Sequence, residues 1–220
     1  MMIKAVLFDL DGLLIDSEMI SYEIYEEIFG EYGIPYSLEL YANEYSGKTL
    51  MENVARTLKK YPFPLTTEQL VEKIYEIERR LIIRGVPLKP GAVELLQYLQ
   101  QHGYGAAVAT SSIKERALTV IKMHDIEQYF QAGVFAEDLT KSKPDPEVFL
   151  KAAEKLGRKP EECLVLEDSA AGIQAASSAN ILVICIPDLK EPSEEYLKKT
   201  TKVYTILTEV IEYLKKENLK

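Results

Sequence analysis

Apolar residues in this chain fall into short unbroken runs set between longer stretches of helical spacing. The first run, Ala5-Val6-Leu7-Phe8, is continuous and stops abruptly at Asp9-Leu10-Asp11-Gly12. A short apolar run closed by a turn signal predicts a strand buried on both faces. Five more such runs predict strands at Gly105 to Ala109, Gly133 to Ala136, Cys163 to Leu166, Ile181 to Ile186 and Val203 to Ile206. Helical stripes lie between them: Val93, Leu95, Leu96 and Leu99 form one, and Phe149, Ala152, Ala153 and Leu156 another. A closing helix is expected from about Leu207 to Leu219. Strands alternating with helices of this length predict an α/β fold, a doubly wound parallel sheet of Rossmann-like form with helices on both faces.

The stretch from Asp16 to Val86 breaks the alternation. Ile20, Ile24 and Ile28 recur at helical spacing, as do Leu70, Ile74 and Ile77, and tyrosines are dense at 22, 25, 32, 36, 41 and 45. The expected organisation is therefore a core of residues 1–15 and 87–220 with a helical cap domain, 16–86, inserted after the first strand. Such an insertion is expected to lie over the sheet edge that carries Asp9 and Asp11, where a mobile cap would exclude water and choose the substrate.

Composition narrows the partners. The 220 residues are 47% hydrophobic and 28% charged with a net charge of −9, which suits a soluble globular protein and makes a poor general binder of nucleic acid or anionic membrane. No apolar run approaches the roughly 20 residues needed to cross a bilayer, and the N-terminus has no signal-peptide pattern. A cytoplasmic protein, monomeric or weakly homodimeric, is expected. Cys163 and Cys185 both lie in apolar strands without a basic neighbour, which predicts reduced core cysteines.

The chemistry sits where strands end. Two carboxylates one residue apart repel unless a cation or a shared proton relieves them, so Asp9 and Asp11 suggest a metal, an acid–base pair, or both. Three more polar clusters follow strands: Thr110-Ser111-Ser112, Lys141-Ser142-Lys143-Pro144-Asp145-Pro146, and Glu167-Asp168-Ser169. In a parallel sheet all of them gather at one edge, the edge where open α/β sheets bind ligands. Singly, each reads as a helix cap or a turn; the ordered set does not.

That set resembles the haloacid dehalogenase superfamily of phosphohydrolases over essentially the whole chain. The Asp-x-Asp motif is Asp9-Leu10-Asp11, the Thr or Ser ending a strand is Thr110, the lysine is Lys143, and the acidic pair is Glu167-Asp168. The insert resembles that family's small helical cap. The resemblance implies that Asp9, Asp168 and the backbone carbonyl of Asp11 hold Mg²⁺, with Glu167 either binding the metal or orienting a metal-bound water. It implies that Lys143 pairs with Asp9 and a phosphate oxygen, that Thr110 donates its hydroxyl to the phosphate, and that backbone N–H groups at Ser111 and Ser112 add donors at a helix start. Asp9 would be the nucleophile that forms an aspartyl-phosphate. Asp11, its carboxyl turned from the metal toward the cap, would be the general acid and then the general base. The implied activity is a Mg²⁺-dependent phosphatase acting on small phosphorylated metabolites, sugar phosphates foremost.

The alternative is a sugar phosphomutase of the β-phosphoglucomutase type. Those mutases carry a cap-loop arginine three residues past the glycine that matches Gly47, and Leu50 stands there. Lys48 remains a candidate substrate contact from the cap. Ser46-Gly47-Lys48-Thr49 is not a P-loop, because Ala42 occupies the position of its first glycine and the preceding segment is helical. A dehalogenase has no need of Asp11, and a phospho-accepting receiver domain is shorter and carries its acceptor on an inner strand. His102 and His124 fall near helix ends and suit capping or surface roles.

Overall fold

The computed structural model describes residues 2–217. Two compact units emerge, one of Met1–Asp16 with Pro87–Lys220 and one of Ser17–Val86. Asp16, grouped with the insert on sequence grounds, belongs with the first unit: its N–H bonds the Pro87 carbonyl at 2.9 Å. Ile15 and Leu88 bridge antiparallel beside it, so the chain leaves and re-enters this unit at adjacent points.

The first unit is built on six parallel strands in the order β3-β2-β1-β4-β5-β6. They are β1 (Ala5–Phe8), β2 (Gly105–Ala109), β3 (Ala132–Val134), β4 (Cys163–Glu167), β5 (Leu182–Cys185) and β6 (Lys202–Val203). All four residues of β1 are buried, as a central strand covered on both faces requires. Successive side chains point to opposite faces. Ala5 and Leu7 join Phe149, Ala152, Ile173 and Ala176 of α7 (Glu147–Lys155) and α8 (Ala170–Ser178) in one core, while α5 (Ala92–Gln101) packs on β2 through its stripe of Leu95, Leu96 and Leu99. The other helices of this unit are α6 (Lys114–Met123), α9 (Glu194–Leu197) and α10 (Glu209–Glu217).

β5 ends at Cys185, one residue before its apolar run does, and two other strands stop shorter still. After Val134, the Phe135 N–H turns to the Asp138 carboxylate at 3.1 Å and a single 3₁₀ turn follows. After Val203, the Glu209 carboxylate takes the N–H groups of Thr205 and Ile206 at 2.9 and 3.3 Å. These residues therefore lead into α10 and do not extend the ladder. The far end of the helix expected to reach Leu219 lies outside the described residues.

The second unit is four helices: α1 (Ser17–Glu31), α2 (Leu38–Glu44), α3 (Leu50–Lys60) and α4 (Thr67–Arg84). Three of its tyrosines, Tyr25, Tyr41 and Tyr45, are buried, and the Phe29 ring packs 4.4 Å from Tyr36 and 5.1 Å from Phe63, centroid to centroid. Thr49 opens α3 with a capping box to Glu52, the role that replaces a P-loop threonine.

Candidate active site

Asp9 follows β1 directly, and its N–H bonds the Leu166 carbonyl of β4 at 3.1 Å. Glu167 ends β4 and Asp168 follows it. The strand order runs outward from β1 in one direction and from β4 in the other, so these carboxylates occupy the topological switch point of the sheet. One oxygen from each of Asp9, Glu167 and Asp168 lies within 4.8 Å of the others.

Close approach of these groups depends on two glycines. Gly12 has φ +79°, and a Cβ there would fall 2.4 Å from Asp168 Oδ2. Gly12 therefore both turns the chain after Asp11 and leaves room for a neighbouring carboxylate. On the other side, a Cβ on Gly172 would fall 1.7 Å from Glu167 Oε1. The first turn of α8 is thus glycine where it faces Glu167.

Lys143 Nζ lies 2.5 Å from Asp9 Oδ1 and 2.5 Å from Glu167 Oε1, its side chain 8% exposed. Burial works to discharge it, but the two carboxylates outweigh burial and hold its pKa above the ordinary lysine value. Glu167 is completely buried. Its Oε2 accepts the N–H groups of Asp168 and Ser169 at 3.0 and 2.9 Å and the Ser169 hydroxyl at 2.9 Å. With Oε1 on Lys143, both oxygens of Glu167 are engaged by protein donors.

One ammonium among three clustered carboxylates, two of them buried, leaves the cluster rich in negative charge. Burial, then the charges of Glu167 and Asp11, push Asp9 up to about 7 against the opposing pull of Lys143. Burial and the charges of Glu167 and Asp9 raise Asp168 well above its ordinary value. An all-oxygen donor set with surplus negative charge is what a hard divalent cation requires, and such a cation removes the strain that otherwise favours protonation.

Asp11 takes another direction. Its Oδ2 accepts from the Ser112 hydroxyl at 2.5 Å and from Arg116 Nη1 at 2.9 Å, and Arg116 Nη2 lies 2.8 Å from Oδ1. Arg116 was not singled out from the sequence. Its signal was available: it stands in the first turn of the helix after Thr110-Ser111-Ser112.

Thr110 is buried at the end of β2, the strand that pairs with β1. Its hydroxyl accepts the Ser112 N–H at 3.0 Å. The helix start expected at Ser111 and Ser112 comes later, at Lys114, whose N–H is capped by the Glu137 carboxylate at 3.0 Å. The Ser112 N–H is therefore turned to Thr110 and its hydroxyl to Asp11, whereas Ser111 is exposed. Lys48 lies in the helical unit, where its ammonium bonds the Glu44 carbonyl. Cys163 and Cys185 are free, buried thiols pushed up to about 11 and about 12 by burial, which suits inert core residues. His102 and His124 cap α5 and α6. Among the described residues, no helix is long and apolar enough to cross a membrane.

Residues 6–186 match the haloacid dehalogenase-like hydrolase family model. The chain belongs to that family. The phosphorylated carbohydrates phosphatase of Thermotoga maritima is 31% identical over 216 residues, covering 94% of this chain and all of that one. Hexitol phosphatase B of Escherichia coli is 31% identical over 186 residues, 84% of each chain. Among solved structures, the β-phosphoglucomutase of Clostridium difficile superposes with a TM-score of 0.76 at 26% identity, covering 98% of this chain and 97% of that one. The protein is a phosphoric monoester hydrolase of this family, with the family's Rossmann-like fold.

Proposed function

We propose that this enzyme is a Mg²⁺-dependent phosphatase of small phosphorylated carbohydrates that works through an aspartyl-phosphate on Asp9. The observation that carries the reading is the carboxylate cluster itself: Asp9, Glu167 and Asp168 converge on one point, with Lys143 bridging Asp9 and Glu167. The names of the Thermotoga and Escherichia relatives support the substrate class.

Asp9, Asp168 and the Asp11 carbonyl are the groups we assign to the metal. Glu167, with both carboxylate oxygens engaged by protein donors, is assigned to positioning Lys143 and the Asp168 loop and to orienting a metal-bound water. When bound, Mg²⁺ would neutralise Asp9 and a phosphate dianion that otherwise repel each other. Asp9 attacks phosphorus, and the leaving alcohol takes a proton from Asp11. Asp11 then takes a proton from the water that attacks the aspartyl-phosphate, which releases inorganic phosphate and restores Asp9. Lys143 and the Thr110 hydroxyl hold phosphoryl oxygens, and Ser111 and Ser112 are the other candidates on that loop. The helical unit is proposed as the cap that selects the substrate, Lys48 being a candidate contact. Its insertion between β1 and β2, directly after the Asp9 turn, supports that role.

The test is a screen of phosphorylated metabolites for phosphate release with and without Mg²⁺. β-Glucose 1-phosphate with its bisphosphate is included so that isomerisation is also read. Metal-dependent release from sugar or sugar-alcohol phosphates is expected. Equal turnover in chelator, or isomerisation faster than phosphate release, would overturn the proposal.

A further inference from the structure

The two aspartates of the opening motif each have their own cation. Lys143 engages Asp9, and Arg116 engages Asp11 through an Nη1 hydrogen bond to Oδ2 at 2.9 Å and an ion-pair approach of Nη2 to Oδ1 at 2.8 Å. A single ammonium fixes one distance. A planar guanidinium facing both oxygens also fixes the plane of the carboxylate.

The arginine is itself anchored. Arg116 Nη1 also donates to Ser112 Oγ at 2.9 Å, and that hydroxyl donates to Asp11. The Ser112 carbonyl accepts the Ala136 N–H at 3.0 Å, and Glu137 caps the Lys114 N–H, so the start of α6 is tied to the segment after β3. Ala117, next to Arg116, is completely buried. The Arg116 side chain is 16% exposed. Its guanidinium serves Asp11 and the hydroxyl beside it.

We propose that Arg116 is the positioning residue for Asp11: its guanidinium holds the carboxyl group turned away from the metal-side cluster, in the orientation from which it exchanges a proton with the leaving alcohol. The inference rests on the acid–base role given to Asp11 above. It adds a residue and a division of labour, with one cation for the nucleophile and another for the proton carrier.

The experiment exploits leaving-group chemistry. An alkyl phosphate needs a proton on its departing oxygen, whereas p-nitrophenolate leaves without one. Single-turnover rates for a sugar phosphate and for p-nitrophenyl phosphate are measured with the Mg²⁺-loaded wild type, Arg116→Ala, Arg116→Lys and Asp11→Asn. Both arginine variants should lose on the order of 10²-fold with the sugar phosphate, the size of a general-acid contribution. With p-nitrophenyl phosphate they should lose less than about tenfold, on the same grounds. KM should stay nearly constant, and guanidinium ion in solution should restore part of the Arg116→Ala rate. Arg116→Lys retains charge and stem, so a selective loss there is independent of any folding defect in Arg116→Ala.

An equal loss on both substrates, or a rise in KM with kcat intact, would overturn the inference. If Asp11→Asn discriminates between leaving groups and the arginine variants do not, the Arg116 role falls and the acid–base assignment stands. If Asp11→Asn does not discriminate, that assignment falls and takes the inference with it.

Discussion

Lys143 Nζ sits 2.5 Å from Asp9 Oδ1, a buried ion pair joining residues 134 positions apart in the chain. Neither strand of the sheet carries it. Lys143 arrives on the loop after β3, so the pair forms only when that loop closes against the central strand end. Removing the cation leaves buried carboxylates without their ammonium. Lys143→Met is expected to lower activity by about 10²-fold or more. It should also lower stability by roughly 3 kcal/mol, as measured by urea unfolding without divalent metal. Recovery of much of that stability, but not of activity, is expected on adding Mg²⁺. Unchanged activity would show that Lys143 has been assigned wrongly.

Gly172 tests the packing around Glu167. Its backbone is not in the left-handed region, so alanine there is free of conformational strain, and the atoms it meets first are those of the Glu167 carboxylate. Displacing Glu167 would release Lys143 and the Asp168 and Ser169 amides together. Gly172→Ala should therefore cost on the order of 10²-fold in kcat, like the loss of a group that stabilises developing charge, with a lower melting temperature. Retention of both would mean that the carboxylate shifts without consequence.

Glu147 ties down the loop that carries Lys143. Lys151, the Thr140 hydroxyl and the N–H groups of Lys141 and Thr140 surround its carboxylate and hold it down at about 2, against an ordinary 4.5. A depressed carboxylate contributes stability that is present above its unfolded value and is lost as pH falls through the folded one. The melting-temperature difference between wild type and Glu147→Gln should thus be full at neutral pH and narrow between about 4.5 and about 2. A difference independent of pH would show that the ionised form is not what stabilises the loop.

Metal binding should appear as stability before any turnover is measured. A ligand at 100 times its dissociation constant stabilises the folded state by about 2.7 kcal/mol. Thermal unfolding of the wild type should shift upward with Mg²⁺, and Asp168→Asn should abolish most of the shift. An undiminished shift in that variant would place the cation elsewhere.

Much of this arrangement is legible in the sequence because strands buried on both faces are apolar runs, and the functional residues interrupt them. Asp9, Thr110, Glu167 and Asp168 all stand where such a run stops. Strand ends were less legible at Phe135 and Thr205, because there a downstream carboxylate captures the backbone N–H groups, and no hydrophobic pattern reports that. The position of Arg116 just past Thr110-Ser111-Ser112 is a weak signal for a related reason. Its partner lies 105 residues away, and an arginine in the first turn of an amphipathic helix looks like any solvated residue. Tyr25, Tyr41 and Tyr45 belong to the packed interior of the second unit, and the spacing of the tyrosines says nothing about which alcohol the substrate carries.

The most direct measurement is mass spectrometry of acid-quenched enzyme after mixing with p-nitrophenyl phosphate and Mg²⁺. A phosphoryl group should be found on the peptide that contains Asp9. It should be absent with chelator and absent in Asp9→Asn, which should also be inactive. Turnover with no phosphoryl group on Asp9, or substantial turnover by Asp9→Asn, would contradict the aspartyl-phosphate mechanism.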